Sequence, residues 1–303
     1  MSDRPESDAR LLEAMIAAAL EAGRAIHAIY AAGFAIAHKA DESPVTSADH
    51  AAEAIILARL ASAAPGVPIV AEEEVAAGRI PSVAREFFLV DPLDGTKEFI
   101  QRRGDFTVNI ALIRSGAPVL GVVYAPANGQ LFAGNVAAGS AFRSSQSAAG
   151  HAARDPADSA PAADNTDFPD RADPDDRTGS AARVPIRVRP VPQHGLTVVA
   201  SRSHATPATD TYLAQYTVAE RVPVGSSLKF CLVAAGDADL YPRLGPTMEW
   251  DTAAGHAVLS AAGGSVWAPG GAPFLYGKPG FRNSSFIASG SLVPLPLAVC
   301  RAP

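Results

Sequence analysis

Asp91 and Asp94 stand three positions apart at the end of an apolar run, Phe88-Leu89-Val90, and Gly95-Thr96 follows at once. A strand end is a rigid mount, and a turn at Pro92 lets two carboxylates aim at one small volume. Oxygen-only ligands suit hard cations such as Mg²⁺. Gly95-Thr96 reads as a helix start, whose free backbone N–H groups attract phosphate. Metal ligands beside a phosphate cradle are equipment for passing a phosphoryl group to water.

Two further acidic positions can join this pair. Glu72 closes the short predicted strand Pro68-Ile69-Val70-Ala71, within Glu72-Glu73-Glu74. Asp251 opens a helix predicted from Trp250 to Leu259. Singly, each has a plain reading: a glutamate run is usually a solvated turn, and an aspartate at a helix start is usually a cap. The haloacid-dehalogenase phosphatases also carry Asp-Gly-Thr after a strand, but space their carboxylates two apart and use the first as a nucleophile. The spacing here gives a metal-ligand pair instead. The histidines show no H-E-x-x-H pattern, and no Cys or His stands out as a nucleophile.

The elements that must hold these residues follow from periodicity. Leu12, Met15, Ile16, Ala19, Ile26, Ile29 and Tyr30 give a buried helical stripe across residues 8–31. Thr46 and Asp49 form an S/T-x-x-D/E start for a second helix running to about Leu60. Phe106–Ile113 and Val119–Tyr124 read as an antiparallel hairpin parted by Ser115-Gly116-Ala117-Pro118, with Leu131-Phe132-Ala133 as a further strand. After residue 184 strands and helices alternate: a strand at Leu196–Ala200, helix 206–216, strand 218–222, helix 227–236 and strand 238–241. Short strands near Val266, Phe274 and Phe286 close the chain.

Residues 144–183 differ in composition. They contain no Ile, Leu, Val, Met, Trp or Tyr, and Phe168 is their one large apolar residue. Such a stretch cannot offset chain entropy by burial, so it is expected to be a disordered insertion without chemistry. It separates an N-terminal subdomain, 1–143, from a C-terminal one, 184–303. The 303 residues are long for one core and suit two packed subdomains. A net charge of −6 without a Lys/Arg run argues against a polymeric nucleic-acid partner. Cys231 and Cys300 form no ligand set, and the polar start Met1–Glu6 is no signal peptide. No apolar run reaches the roughly 20 residues needed to span a bilayer. The expectation is a cytoplasmic protein, with peripheral attachment at the inner membrane left open.

Glu72-Glu73, Asp91-Pro92-Leu93-Asp94-Gly95-Thr96 and Trp250-Asp251-Thr252-Ala253-Ala254-Gly255 together resemble the signature set of the inositol monophosphatase superfamily. The resemblance covers nearly the whole chain apart from the insertion. It implies a layered αβαβα sandwich, in the α+β or α/β class, and a Mg²⁺-dependent, Li⁺-sensitive phosphomonoesterase using two to three ions. The N-terminal subdomain would carry the metal and phosphate site, and the C-terminal one the last metal ligand and the specificity half. Carried over by residue, Glu72, Asp91 and the Leu93 carbonyl would bind a first metal. Asp91, Asp94 and Asp251 would bind a second, with a third near Glu72. Gly95 and Thr96 would hold the phosphate, also touched by Leu93, Asp94 and Asp251. Asp49 and Thr96, with Glu72, would form the catalytic set that deprotonates the attacking water. Paired ions clamp the attacking and leaving oxygens of an in-line displacement.

Further segments resemble the bacterial CysQ-type 3'(2'),5'-bisphosphate nucleotidases. They are Lys39–Thr46, Ala200-Ser201-Arg202-Ser203-His204, Gly225–Cys231, Ala238–Asp251 and Tyr276-Gly277-Lys278. A bisphosphorylated nucleotide needs a second anion site away from the metals. Ser203, His204, Ser226, Ser227, Lys229 and Arg243 could build it, with Arg243 as a bidentate fork. The resemblance therefore implies hydrolysis of adenosine 3',5'-bisphosphate to AMP and phosphate. Inositol monophosphatase activity is the alternative, then a sugar bisphosphatase. A sensor that has lost turnover is disfavoured because every expected ligand is present. Relatives commonly form homodimers.

Overall fold

The computed structural model describes residues 4–34, 36–38, 44–146, 182–201 and 206–297. Helix α1 (Arg4–Ala32) is followed by a ribbon of β1 (Ile36–His38) and β2 (Pro44–Thr46), then by α2 (Ser47–Ala63). β3 (Ile69–Ala71), the short α3 (Glu72–Ala76), β4 (Glu86–Asp94) and the short α4 (Thr96–Ile100) come next. β5 (Thr107–Arg114), β6 (Ala117–Ala125), β7 (Gln130–Asn135), β8 (Ser140–Ser145) and β9 (Val184–Pro185) complete a seven-stranded sheet in the order β3 to β9. It is antiparallel except for β3 beside β4.

The remaining chain supplies β10 (Leu196–Ser201), α5 (Pro207–Leu213), β11 (Val218–Val224), α6 (Leu228–Ala234) and β12 (Leu240–Arg243). β13 (Thr247–Met248), α7 (Trp250–Ala261), β14 (Ser265–Trp267), β15 (Arg282–Asn283) and β16 (Phe286–Ser289) finish it. A five-stranded sheet runs β11-β10-β12-β16-β14, and β13 pairs with β15 in a separate ribbon. No helix among the described residues is long and apolar enough to cross a membrane.

The layers follow from which residues alternate to which face. Along β4, Phe88 and Val90 join Met15, Ile26, Ile56 and Leu60 under α1 and α2, while Phe87 and Leu89 face α6 and α7. Leu196 and Val198 of β10 pack with Tyr212 and Leu213 of α5 on the outer side of the second sheet. The order is α1/α2, seven strands, α6/α7, five strands, α5, which is the expected αβαβα sandwich. Both faces of the larger sheet are covered, so its strands read as continuous apolar runs.

Several expectations need adjusting. The β5–β6 connection is only Ser115-Gly116, both at positive φ (50° and 79°), so the strands extend further than the composition suggests. Phe274 lies in no strand; the nearest pairing is an isolated bridge between Trp267 and Pro273. β8 runs through Ser144 and Ser145, two positions past the change in composition. The rest of the expected insertion lies almost wholly outside the described residues, as do Lys39–Ser43, Arg202, Ser203, His204 and Cys300.

Candidate active site

The end of β4 is bent by a bulge. Asp91 lies opposite Asn109 and Asp94 opposite Thr107, so three steps on one strand match two on the other. Pro92 has no N–H to give the ladder, and a bulge re-aims the side chains that flank it. The Leu93 N–H donates to Asp91 Oδ1 at 3.0 Å. Gly95 then turns the chain into α4 with φ +93°, and a Cβ there would lie 3.3 Å from the Asp105 carbonyl oxygen. The positive φ favours glycine, and the close carbonyl adds crowding against any larger residue.

Asp49 uses both carboxylate oxygens. Oδ2 accepts the Thr46 N–H and hydroxyl, both at 2.8 Å, closing the capping box of α2. Oδ1 faces the Thr96 hydroxyl at 3.4 Å, and that hydroxyl also reaches the Leu93 carbonyl at 3.2 Å. The cap and the contact with Thr96 therefore coexist. One aspartate buried to 2% exposure both starts a helix and reaches the Thr96 hydroxyl at the Gly95-Thr96 turn.

Asp251 comes in from the opposite side on α7. Its Oδ2 accepts the Met248 N–H at 2.7 Å. Ser227 bridges the two halves: its hydroxyl lies 2.7 Å from the Asp251 carbonyl oxygen and 3.1 Å from Asp94 Oδ2. Asn109 Nδ2 donates to Ser227 Oγ at 2.9 Å. Glu72 sits at the first position of α3 and lines the same cleft as Asp94 and Asp251.

These carboxylates act on one another. Burial, then the like charges of Glu72, Asp94 and Asp251, hold the Asp91 carboxyl well above the usual carboxylate range. Burial, Asp94 and Glu72 raise Asp251 likewise, against the Met248 N–H and Arg243. As the side chains stand, no group of three or more His, Cys, Asp or Glu among the described residues closes tightly enough to hold an ion. The structure thus shows carboxylates close enough to repel one another. An all-oxygen set whose members disfavour one another's charge fits a hard divalent cation.

The cleft has a volume of ≈ 410 Å³. Its lining also includes Ser201, Gly225, Ser226, Lys229, Tyr241, Arg243 and Arg282. Ser226 sits at φ +50°, with its hydroxyl 2.5 Å from that of Thr107, and the neighbouring Gly225 N–H donates to Asp105 at 2.7 Å. Lys229 is buried rather than a surface charge: its ammonium donates to the Ser226 carbonyl at 2.5 Å and lies 5.4 Å from the Tyr241 ring centre. Ser227 is absent from the cleft lining, its hydroxyl being engaged with Asp94 and Asp251. Arg243 donates to the Pro246 carbonyl at 3.2 Å, and its Nε is buried without a hydrogen-bond partner.

Burial, only partly offset by Asp94, lowers the Lys229 ammonium to about 8. Its charge is present below that pH and lost above it. KM for a substrate anion seated beside Lys229 should therefore rise as pH passes 8. Stability should move the other way. Between pH 8 and the unfolded value of 10.5 the unfolded chain holds the extra proton, so this group favours the fold more as pH rises. Initial rates and thermal melts from pH 7 to 9.5 check both signs; a KM flat across that range would remove Lys229 from substrate binding.

Three contributors carry no sequence signal strong enough to single them out. Asn109 is fully buried and ties Ser227 to Asp94, a link visible only once β5 is paired with β4. Glu53 lies one turn after Asp49, accepts the Glu73 N–H at 2.9 Å, and is raised by burial to about 7. Its helical spacing from Asp49 was the available signal. Arg282 reaches the cleft only because β15 pairs with β13.

The sequence model of the inositol monophosphatase family matches residues 7–294. The 3'(2'),5'-bisphosphate nucleotidase CysQ of Escherichia coli (strain K12) is 39% identical over 284 residues, which is 91% of this chain and 100% of that protein. The protein of the same name from Salmonella typhimurium is 41% identical over 258 residues, 84% of this chain and 89% of the other. Among solved structures, CysQ from Bacteroides thetaiotaomicron, described as a bacterial member of the inositol monophosphatase family, superposes with a TM-score of 0.70 at 37% identity. It covers 93% of this chain and 97% of its own.

Proposed function

The chain belongs to the inositol monophosphatase family, and from that premise we propose that it is a Mg²⁺-dependent 3'(2'),5'-bisphosphate nucleotidase, converting adenosine 3',5'-bisphosphate to AMP and phosphate. One observation carries the reading: the lining of a single cleft combines carboxylates (Glu72, Asp94 and Asp251) with cations (Lys97, Lys229, Arg243 and Arg282). A monophosphate ester uses the first and leaves the second idle. A bisphosphate uses both.

Glu72, Asp91, Asp94, Asp251 and the Leu93 carbonyl would hold Mg²⁺. When bound, Mg²⁺ acidifies water and neutralises charge on the phosphoryl oxygens. The protein's own groups do the rest. The turn at Gly95-Thr96 presents backbone N–H groups to the phosphate. The Thr96 hydroxyl receives the attacking water's proton as its own passes toward Asp49, whose Oδ1 it already faces. That separation is long for a hydrogen bond, as is common before substrate tightens a site. Ser227 and Asn109 fix the Asp94 carboxylate by hydrogen bonds.

Phosphate release from adenosine 3',5'-bisphosphate, inositol 1-phosphate and fructose 1,6-bisphosphate tests the reading. The nucleotide should give the highest kcat/KM, chelation should abolish turnover, and Mg²⁺ should restore it. In the same panel Arg243→Ala should damage kcat/KM for the nucleotide more than for inositol 1-phosphate. A higher kcat/KM for inositol 1-phosphate, or turnover in excess chelator, overturns the assignment.

A further inference from the structure

The start of α7 is held in an unusual way. Glu249 occupies its N-cap position, yet its own side chain does not cap the helix. Its side chain is fully buried and points instead to the segment before β15. The Gly277 N–H donates to Oε2 at 2.7 Å and the Lys278 N–H to Oε1 at 3.0 Å. The Lys278 ammonium pairs with Oε1 at 2.7 Å. That ammonium lies 5.2 Å and 5.3 Å from the ring centres of Phe274 and Tyr276 and also donates to the Leu275 carbonyl. A buried carboxylate held by backbone donors alone would carry an uncompensated charge; Lys278 supplies the counter-charge.

The same segment grips α7 at two higher levels. Tyr276 Oη lies 3.3 Å from the Thr252 hydroxyl and 3.0 Å from His256 Nδ1. Positions 249, 252 and 256 fall on one helical face. Asp251, two residues after Glu249, lies about 200° around the axis at ~100° per residue. The grip on one face therefore sets the rotation of α7, and that rotation decides where the Asp251 carboxylate points on the other.

We propose that Glu249, paired with Lys278, is a positioning residue that orients Asp251 toward the metal site. The inference rests on the reading of Asp251 as a metal ligand and adds a residue to it. Glu249 touches neither substrate nor metal and acts through the helix.

The experiment measures Mn²⁺ affinity by electron paramagnetic resonance on the full chain, without substrate, together with Tm and kcat at saturating Mg²⁺. Glu249→Gln and Lys278→Met should each weaken Mn²⁺ binding by about 10-fold or more, the usual scale for groups that orient ligands. kcat should largely recover at saturating metal. The double variant should be little worse than either single one, because the two act as a unit. Lys278 is partly exposed, so Lys278→Met tests the proposal even where Glu249→Gln folds poorly. Wild-type Mn²⁺ affinity in both variants, with only Tm lowered, overturns the clamp. Asp251→Asn run alongside keeps the two readings apart. Unchanged affinity there overturns the ligand assignment itself. Loss there with unchanged affinity in Glu249→Gln and Lys278→Met overturns the clamp alone.

Discussion

Asp94→Asn should lower kcat by about 10³-fold or more while the protein melts no lower than wild type. The first half follows from charge. A carboxylate that helps hold a divalent ion contributes several kcal/mol to stabilising the reacting phosphoryl group, and each ~1.4 kcal/mol is tenfold in rate. The second half follows from what surrounds the side chain. Asn keeps an oxygen for Ser227, which approaches Asp94 Oδ2 at 3.1 Å. It also removes one of the like charges that raise Asp91 and Asp251. Those groups have folded pKa values above their unfolded ones, so each destabilises the fold once pH rises above its unfolded value. Easing the shift reduces that penalty. Melting in chelator at neutral pH should therefore show an unchanged or higher Tm, beside a collapse of phosphate release. Wild-type kcat at limiting Mg²⁺ would remove Asp94 from the ligand set. A large fall in Tm would mean that its role is structural.

The carboxylate end of the cleft was legible because it is built from local signals. Asp91, Pro92, Asp94 and Gly95 sit within five positions, and each residue type has a backbone reason to be there. The capping box at Thr46 and Asp49 marks the start of α2 directly. The layered fold was legible for a related reason: buried strands and an apolar helix stripe declare themselves by period. What periodicity could not supply was pairing at long range. Glu249 meets Lys278 across 29 positions, and Asn109 meets Ser227 across 118. A glutamate beside Trp250-Asp251 looks like a solvated helix start until the 277–278 segment is laid on it. Lys229 was legible as a charge but not as a buried one, because burial of an ammonium depends on carbonyls presented by the strained turn at Ser226. Phe274 was misplaced because an aromatic among Gly and Pro suits either a strand or a packed loop. Here its ring packs against Tyr276, His256 and Phe286 without a ladder.

Gly121→Ala should damage stability and metal use together, although Gly121 lies on the sheet and is not part of the cleft lining. β6 and β7 face α7 through Gly121 and Gly134, which are paired in register. A Cβ on Gly121 would fall 2.4 Å from the Ala254 carbonyl oxygen and 2.6 Å from Ala257 Cβ; one on Gly134 would fall 2.8 Å from Val258 Cα. Neither glycine has a positive φ, so the reason for glycine is close approach and not backbone freedom. The obstructing atoms belong to helix backbone and Cβ positions, which no rotamer change can move. Within the same layer α7 is flanked by α6, where a Cβ on Gly255 would lie 2.6 Å from the Phe230 ring. One methyl added at Gly121 must therefore lift the helix from the sheet, with α6 limiting its sideways movement. Overpacking of this kind costs about 1–3 kcal/mol, or several degrees in Tm at about 2–4 °C per kcal/mol for a chain of this size. Asp251 rides at the start of that helix, so the same shift should raise the Mg²⁺ concentration needed for half-maximal rate. Gly104→Ala is the matched control, since its Cβ would meet nothing nearer than Ala127 at 3.6 Å. It should leave both quantities near wild type. A Gly121→Ala protein with wild-type Tm would mean that α7 and the sheet are not in contact at this point. A lowered Tm with an unchanged Mg²⁺ requirement would show instead that α7 yields away from Asp251 and that the two ends of the helix move independently.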